Sequence, residues 1–205
     1  MICHKHHAIL VHIQKTGGTA VSLALGMSAN EPDKHFLGAE LKRACEPDVW
    51  RRYFKFSIVR NPWARLVSWY AMIDSHRAAF EAGAPLNPFQ ATALLRTSNF
   101  RDFLVNMDEE IADSDGRKWI YRNQVDYLVD ESGALLVDHI ARTETLAADW
   151  AAMRPRFAAV TPIALPVVNQ SRHGAYVDYY TPELAEMVAQ RYRADIERFG
   201  FRFGD

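Results

Sequence analysis

Cysteine is scarce in this chain: 205 residues carry only Cys3 and Cys45. Two thiols cannot build a disulfide framework, and they fit a reducing compartment or a fold held by its core alone. Excess charge is lacking as well, with 24 Lys and Arg against 25 Asp and Glu and a formal net charge of −1. Nothing global therefore marks a binder of nucleic acid or another polyanion, and local patches must be judged one by one. The apolar run Ala8 to Ile13 is too short for a signal h-region or a membrane span, so the chain reads as soluble and cytoplasmic, with no membrane segment. Ten Gly and nine Pro are scattered, and no low-complexity tract or internal period appears, which excludes collagen-like, disordered and solenoid designs. What remains is a 49% hydrophobic sequence of a size suited to one globular domain over residues 1–205.

Ala8 to Ile13 is rich in strand formers and stops at Gln14-Lys-Thr-Gly-Gly-Thr19, after which Ala20 to Leu25 are helix-like. Phe54 to Val59 repeats the arrangement, followed by Arg60, by Asn61 as a helix cap and by Pro62 at the first helical position. Two apolar strands, each feeding a helix, predict an α/β fold: a P-loop-like, three-layer arrangement with a central, mainly parallel sheet flanked by helices. Such folds place ligands at the carboxyl ends of their strands. Farther on, Ser98 or Asn99 can cap a helix over 100–107, and the acidic stretch 108–115 reads as a solvated loop. Asp130 to Gly133 reads as a turn between two short strands, and Thr143 as a cap for a helix carrying Leu146, Trp150, Met153 and Phe157. A last helix is expected from Thr181-Pro-Glu183 to the stop at Gly200.

Two loops carry the chemistry. In Lys15-Thr-Gly-Gly-Thr19 the glycines let the backbone approach an anion, amides at the helix start can donate to it, and Lys15 adds a positive charge. The order is not that of a Walker A loop, because the lysine precedes the glycines. The second loop offers Arg60, with Ser68 about two turns into the following helix, as joint ligands of another anion. Acids are absent from the first thirty residues, and from Arg51 to Arg65 five cations stand without one. Both loops therefore lie in locally positive sequence despite the neutral whole.

Together, Gln14 to Thr19 and the segment Phe54-Lys-Phe-Ser-Ile-Val-Arg-Asn-Pro-Trp-Ala-Arg-Leu-Val-Ser-Trp-Tyr70 resemble the sulfotransferases that use 3′-phosphoadenosine 5′-phosphosulfate (PAPS). The likeness is greatest to the carbohydrate, Golgi-type branch, with this chain in the character of a soluble, bacterial-like member. It runs on through Gln124 to Leu128, Val137-Asp138 with Glu144, Leu165-Pro166 with Asn169 and Ser171, and the ending Tyr192 to Phe203. The resemblance implies that Lys15, Thr16, Gly17, Gly18 and Thr19 hold the 5′-phosphosulfate, and that Arg60 and Ser68 hold the 3′-phosphate. It implies a sulfuryl transfer to a hydroxyl acceptor, a saccharide by that branch, with 3′,5′-ADP as product and no metal required. The chain departs from the family at Thr143, where an aromatic is common, and at Val167, where a histidine is common.

Lys15 is the expected stabiliser of the leaving phosphate oxygen, and His35 stands where similar enzymes carry a candidate general base, with Glu40 in reserve. His4, His6 and His7 lack a partnering ligand spacing and read as a mobile terminal cluster, not a metal site. His12 reads as a packed strand residue, and Trp63, Trp69 and Tyr70 as core. A nucleotide or small-molecule kinase is the alternative enzyme, although a kinase strand would end in an acid for Mg²⁺ where this one ends in Arg60. A catalytically silent nucleotide-binding module is the third reading, and His35 separates it from the first.

Overall fold

The computed structural model describes residues 1–28, 31–106, 120–158, 164–166 and 174–205. In chain order the elements begin with strands β1 (Ile2–Cys3) and β2 (Ala8–Val11), then helices α1 (Gly18–Ala24), α2 (Gly38–Ala44) and α3 (Pro47–Arg52). Strand β3 (Phe54–Val59) leads into α4 (Pro62–Asp74), α5 (Arg77–Glu81), α6 (Pro88–Leu95) and α7 (Phe100–Val105). Strand β4 (His139–Arg142), α8 (Leu146–Met153), α9 (Pro182–Arg191) and α10 (Arg193–Phe199) complete the set. The chain divides into two compact units, Met1–Arg60 with Gln124–Gln170 and Asn61–Asn123 with Ser171–Asp205.

The first unit holds a four-stranded sheet in the order β1-β2-β3-β4. Only the β1 edge is antiparallel; β2 pairs with β3, and β3 with β4, in parallel. All of β2 and all but Lys55 of β3 are buried, which is why β2 reads as an unbroken apolar run, while the buried Ser57 of β3 donates its hydroxyl to the Val11 carbonyl at 2.7 Å. Leu10, Phe56 and Ile58 join Val21 of α1, Leu25 just after it, and Trp150 and Met153 of α8 in one core. The α/β architecture expected from the sequence, a mainly parallel sheet flanked by helices, is the one observed.

The second unit is helical. Asn61 caps α4 as expected, its Oδ1 accepting from the N–H groups of Trp63 and Ala64, and Asn99 caps α7 by accepting from Asp102 at 2.9 Å. Trp63 donates its indole N–H to the Ala185 carbonyl at 2.9 Å, and Tyr180 donates to the Trp63 carbonyl at 3.0 Å. Arg65 is only 1% exposed, and its guanidinium is spread over the Arg122 and Ile120 carbonyls. Trp63 and Trp69 are thus core residues of this unit.

Several boundaries differ from expectation. The first strand ends at Val11, not Ile13, because the chain turns into the glycine loop at once. His4 to His7 are an ordered turn joining β1 to β2: His6 is buried, His4 Nδ1 lies 2.9 Å from the Tyr53 hydroxyl, and His7 stacks on the Tyr53 ring. The cap of α8 is Thr145, whereas the Thr143 hydroxyl is engaged elsewhere. The expected hairpin around Asp130 to Gly133 shrinks to one bridge between Val129 and Leu135, closed by the Asp130 carboxylate on the Ser132 and Ala134 N–H groups. The final helix breaks at Tyr192 into α9 and α10, and Gly200 ends it in the left-handed conformation, φ 67°. The acidic stretch 108–115 and the positions Val167, Asn169 and Ser171 lie outside the described residues. Among the described residues no helix is long and apolar enough to cross a membrane.

Candidate active site at the carboxyl ends of the strands

Because β2 and β3 are adjacent and parallel, the segments that follow them leave the sheet at the same edge. There the Arg60 guanidinium donates to the Lys15 carbonyl at 3.2 Å. The two cations foreseen as anion ligands in the first unit are thus brought together. Lys15 is a non-glycine residue in the left-handed region, φ 66°, a conformation uncommon outside glycine. Burial, and secondarily the Arg60 charge, lowers the Lys15 ammonium from its ordinary value to about 8. Both causes act against the cation, and a bound anion would oppose both.

The glycines of the loop have separate reasons. Gly17 is the left-handed cap residue of α1, φ 86°. Gly18 has no room for a side chain, since a Cβ there would stand 2.1 Å from the imidazole Cδ2 of His12. Thr16 is completely buried and its hydroxyl donates to the Ile13 carbonyl at 2.9 Å, so its side chain is spent inside the loop. Thr19 is half-buried on the first turn of α1.

His12, read from sequence as packing, is the floor of this loop. It is 3% exposed, and burial, with the nearby His35 adding to it, holds its pKa well below the usual imidazole range, so it stays neutral. The His35 ring lies 5.2 Å from that of His12, tilted by 54°. The structure thereby carries His35, from the turn before α2, up to the ring on which Gly18 rests. Glu40 serves the backbone of its own helix, where its carboxylate accepts the Leu37 N–H at 2.6 Å and closes the first turn of α2.

Three further residues organise the edge, a part that sequence reading assigned to none of them. The Gln124 side chain, fully buried, accepts from the Arg60 N–H and donates to the Arg60 carbonyl, both at 2.8 Å. The Thr143 hydroxyl lies 2.8 Å from the Thr16 carbonyl and 3.2 Å from the Val59 carbonyl, tying the first loop to the end of β3. Gln14 accepts from the buried Tyr127 hydroxyl at 2.7 Å. Gln124 and Thr143 had signals in the sequence, the one inside the resembling segment and the other as a departure from it. A polar residue alone does not announce a backbone partner so far along the chain.

Ser68 belongs to the second unit, where it is 2% exposed on the second turn of α4. Among the described residues no group of three or more His, Cys, Asp or Glu is arranged to hold a metal ion. A family model described as "Sulfotransferase family" matches residues 1–202, nearly the whole chain and parts of both units. No curated protein and no solved structure matches it.

Proposed function

Since the chain belongs to the sulfotransferase family, we propose that it moves a sulfuryl group from PAPS to a hydroxyl acceptor, a saccharide in keeping with the carbohydrate branch, and releases 3′,5′-ADP. The observation that carries this reading is the meeting of Lys15 and Arg60 on a glycine loop at the carboxyl ends of two parallel strands. The loop Lys15, Thr16, Gly17, Gly18, Thr19 takes the 5′-phosphosulfate, and Arg60 with Ser68 takes the 3′-phosphate. Residues 1–205 then work as one sulfotransferase domain, a soluble, bacterial-like member acting in the cytoplasm, where the free thiols Cys3 and Cys45 stay reduced.

In the transfer the acceptor oxygen bonds to sulfur as the bond between sulfur and the bridging phosphate oxygen breaks. The acceptor's proton passes to the His35 imidazole, and the negative charge that develops on the leaving oxygen is met by the Lys15 ammonium. These two groups supply base and electrophile from side chains, so the reaction asks for no metal. Glu40 is the weaker candidate for the base, because its carboxylate already closes α2.

Thermal shifts with 3′,5′-ADP, 5′-ADP and ATP, each with and without Mg²⁺, test the donor. Stabilisation is expected from 3′,5′-ADP without metal and less from 5′-ADP, which lacks the phosphate assigned to Arg60 and Ser68. Equal shifts from the two would remove that assignment, and a larger Mg²⁺-dependent shift with ATP would turn the reading to a kinase. Turnover separates the bases: His35→Ala is expected to bind donor and lose roughly a hundredfold or more in rate. A fully active His35→Ala beside an inactive Glu40→Gln would transfer the role to Glu40.

A further inference from the structure

The opposite edge of the same sheet is also electropositive, and it is hollow. His7, Tyr53 and Asp138 immediately precede β2, β3 and β4, so they mark the amino ends of three neighbouring parallel strands. Around them lies a cavity of about 430 Å³, lined also by Arg51, Arg52, Lys55 and Arg156. That volume falls in the range of small-molecule sites. Strand β3 has six residues, which at its rise per residue puts about 20 Å between this edge and Arg60.

We propose that this cavity is a second binding site, for a small ligand carrying a phosphate or sulfate monoester, held by the Arg52 and Arg156 guanidinium groups over the Tyr53 and His7 rings. The proposal does not depend on the reading of the carboxyl edge.

Charge balance comes first. The single carboxylate in the lining, Asp138, is already engaged: its Oδ2 accepts the Lys55 N–H at 2.8 Å and pairs with the Lys55 ammonium at 2.9 Å. Arg51 pairs with Asp48 at 2.9 Å. Arg52 and Arg156 have no carboxylate partner among the described residues, and both are exposed. Position at the end of α3 accounts for a cation at Arg52, since the last turn of a helix favours positive charge. It does not account for Arg156, which comes from a 3-10 turn after α8 and stands 4.6 Å over the Phe54 ring at the same opening. Two guanidinium forks from separate elements suit a tetrahedral oxyanion, which accepts paired hydrogen bonds.

The aromatic wall supplies the rest of the ligand site. Tyr53 is gripped from two sides, by the His7 ring stacked at 4.9 Å and by His4 Nδ1 at 2.9 Å from its hydroxyl. His7 holds that stack from a left-handed backbone, φ 48°, secured by the Phe54 N–H donating to its carbonyl at 2.9 Å. A rigid, partly exposed ring pair beside an anion subsite is the surface on which the carbon portion of a sugar ester packs.

Isothermal titration of the full chain with glucose 6-phosphate, glucose 6-sulfate and glucose tests the site. Binding of one or both esters and not of glucose is expected, at least tenfold weaker in R52A/R156A and unchanged in K15A. Preference between the esters then names the natural group. Because Arg52 is exposed, the single variant R52A keeps the comparison sound if the double variant melts early, and it should weaken binding in the same direction. Equal binding to R52A/R156A, loss confined to K15A, equal binding of glucose, or no binding of either ester would each overturn the proposal.

Discussion

The turns that follow β2 and β3 are the same supersecondary unit, yet they satisfy their backbones in opposite ways. After β2, α1 begins on a left-handed glycine with no side-chain cap. After β3, α4 begins on Asn61, whose Oδ1 accepts from Trp63 at 3.1 Å and Ala64 at 3.5 Å, while Pro62 brings no N–H at all. The first turn puts no side-chain cap on its helix-start amides, and the second has committed its own to Asn61. An anion at the second turn must therefore be met by side chains. That is the part assigned to Arg60, whose own backbone is clamped on both sides by Gln124.

The largest effect should come from the lysine of the first turn. Lys15→Ala is expected to slow single-turnover transfer by roughly a hundredfold to a thousandfold, the range for losing one oxyanion donor, while 3′,5′-ADP binding falls far less. An unchanged rate at saturating donor would make Lys15 a structural residue of an unusual turn. Next in size is Gly18→Ala, where the new methyl group meets the His12 ring. Overpacking of this kind costs about 1–3 kcal/mol, a fall of several degrees in Tm. Shrinking the ring in His12→Ala/Gly18→Ala should restore part of that loss, and a double variant no better than Gly18→Ala alone would mean that the loop does not rest on His12.

A pH titration sharpens the contrast further. Burial, reinforced by Arg60, lowers Lys15 from 10.5 to about 8. Between those values the unfolded chain holds a proton that the folded chain has released, so this group makes the fold more stable as pH rises from about 8 to 10.5. Ligand binding runs the other way, because an anion prefers the charged amine. Affinity for 3′,5′-ADP should drop about tenfold between pH 7 and pH 9, with proton uptake above pH 8. Lys15→Arg should flatten that limb, since a guanidinium does not titrate there. A flat wild-type profile would separate Lys15 from the anion.

Much of this edge was legible in the sequence, for a physical reason. Strand β3 and its turn are specified locally, by an apolar run, a capping Asn and a Pro at the first helical position, so Phe54–Val59 and Pro62 stand at the bounds their residue types imply. The loop Lys15 to Thr19 was legible as a tight turn from strand to helix because its two glycines mark it, one as the left-handed cap of α1 and the other as a close approach to His12. What escaped was long-range. His12 looks like any strand residue until Gly18 is packed on it, and Gln124 and Thr143 act on backbone atoms 64 and 127 residues away. The break at Tyr192 was hidden because its ring is fully buried and its hydroxyl bonds the Tyr121 carbonyl at 2.9 Å, so it fits an apolar stripe while the backbone bends.

The smallest effect is also the one that most directly tests the division of labour between the turns. Asn61 caps α4 through Oδ1 and donates through Nδ2 to the Arg202 carbonyl at 2.8 Å, so its work lies inside the second unit. Asn61→Ala should cost stability by about 0.5–2 kcal/mol, as lost caps do, and should leave the affinity for 3′,5′-ADP within a factor of about two, since an amide committed to a helix contributes little to a ligand beyond it. Denaturant melts give the first quantity and calorimetry on the folded variant gives the second. If affinity instead falls in proportion to a Lys15 substitution while stability holds, the cap amides are serving the ligand. The second turn would then be a backbone cradle like the first, with Arg60 an accessory to it.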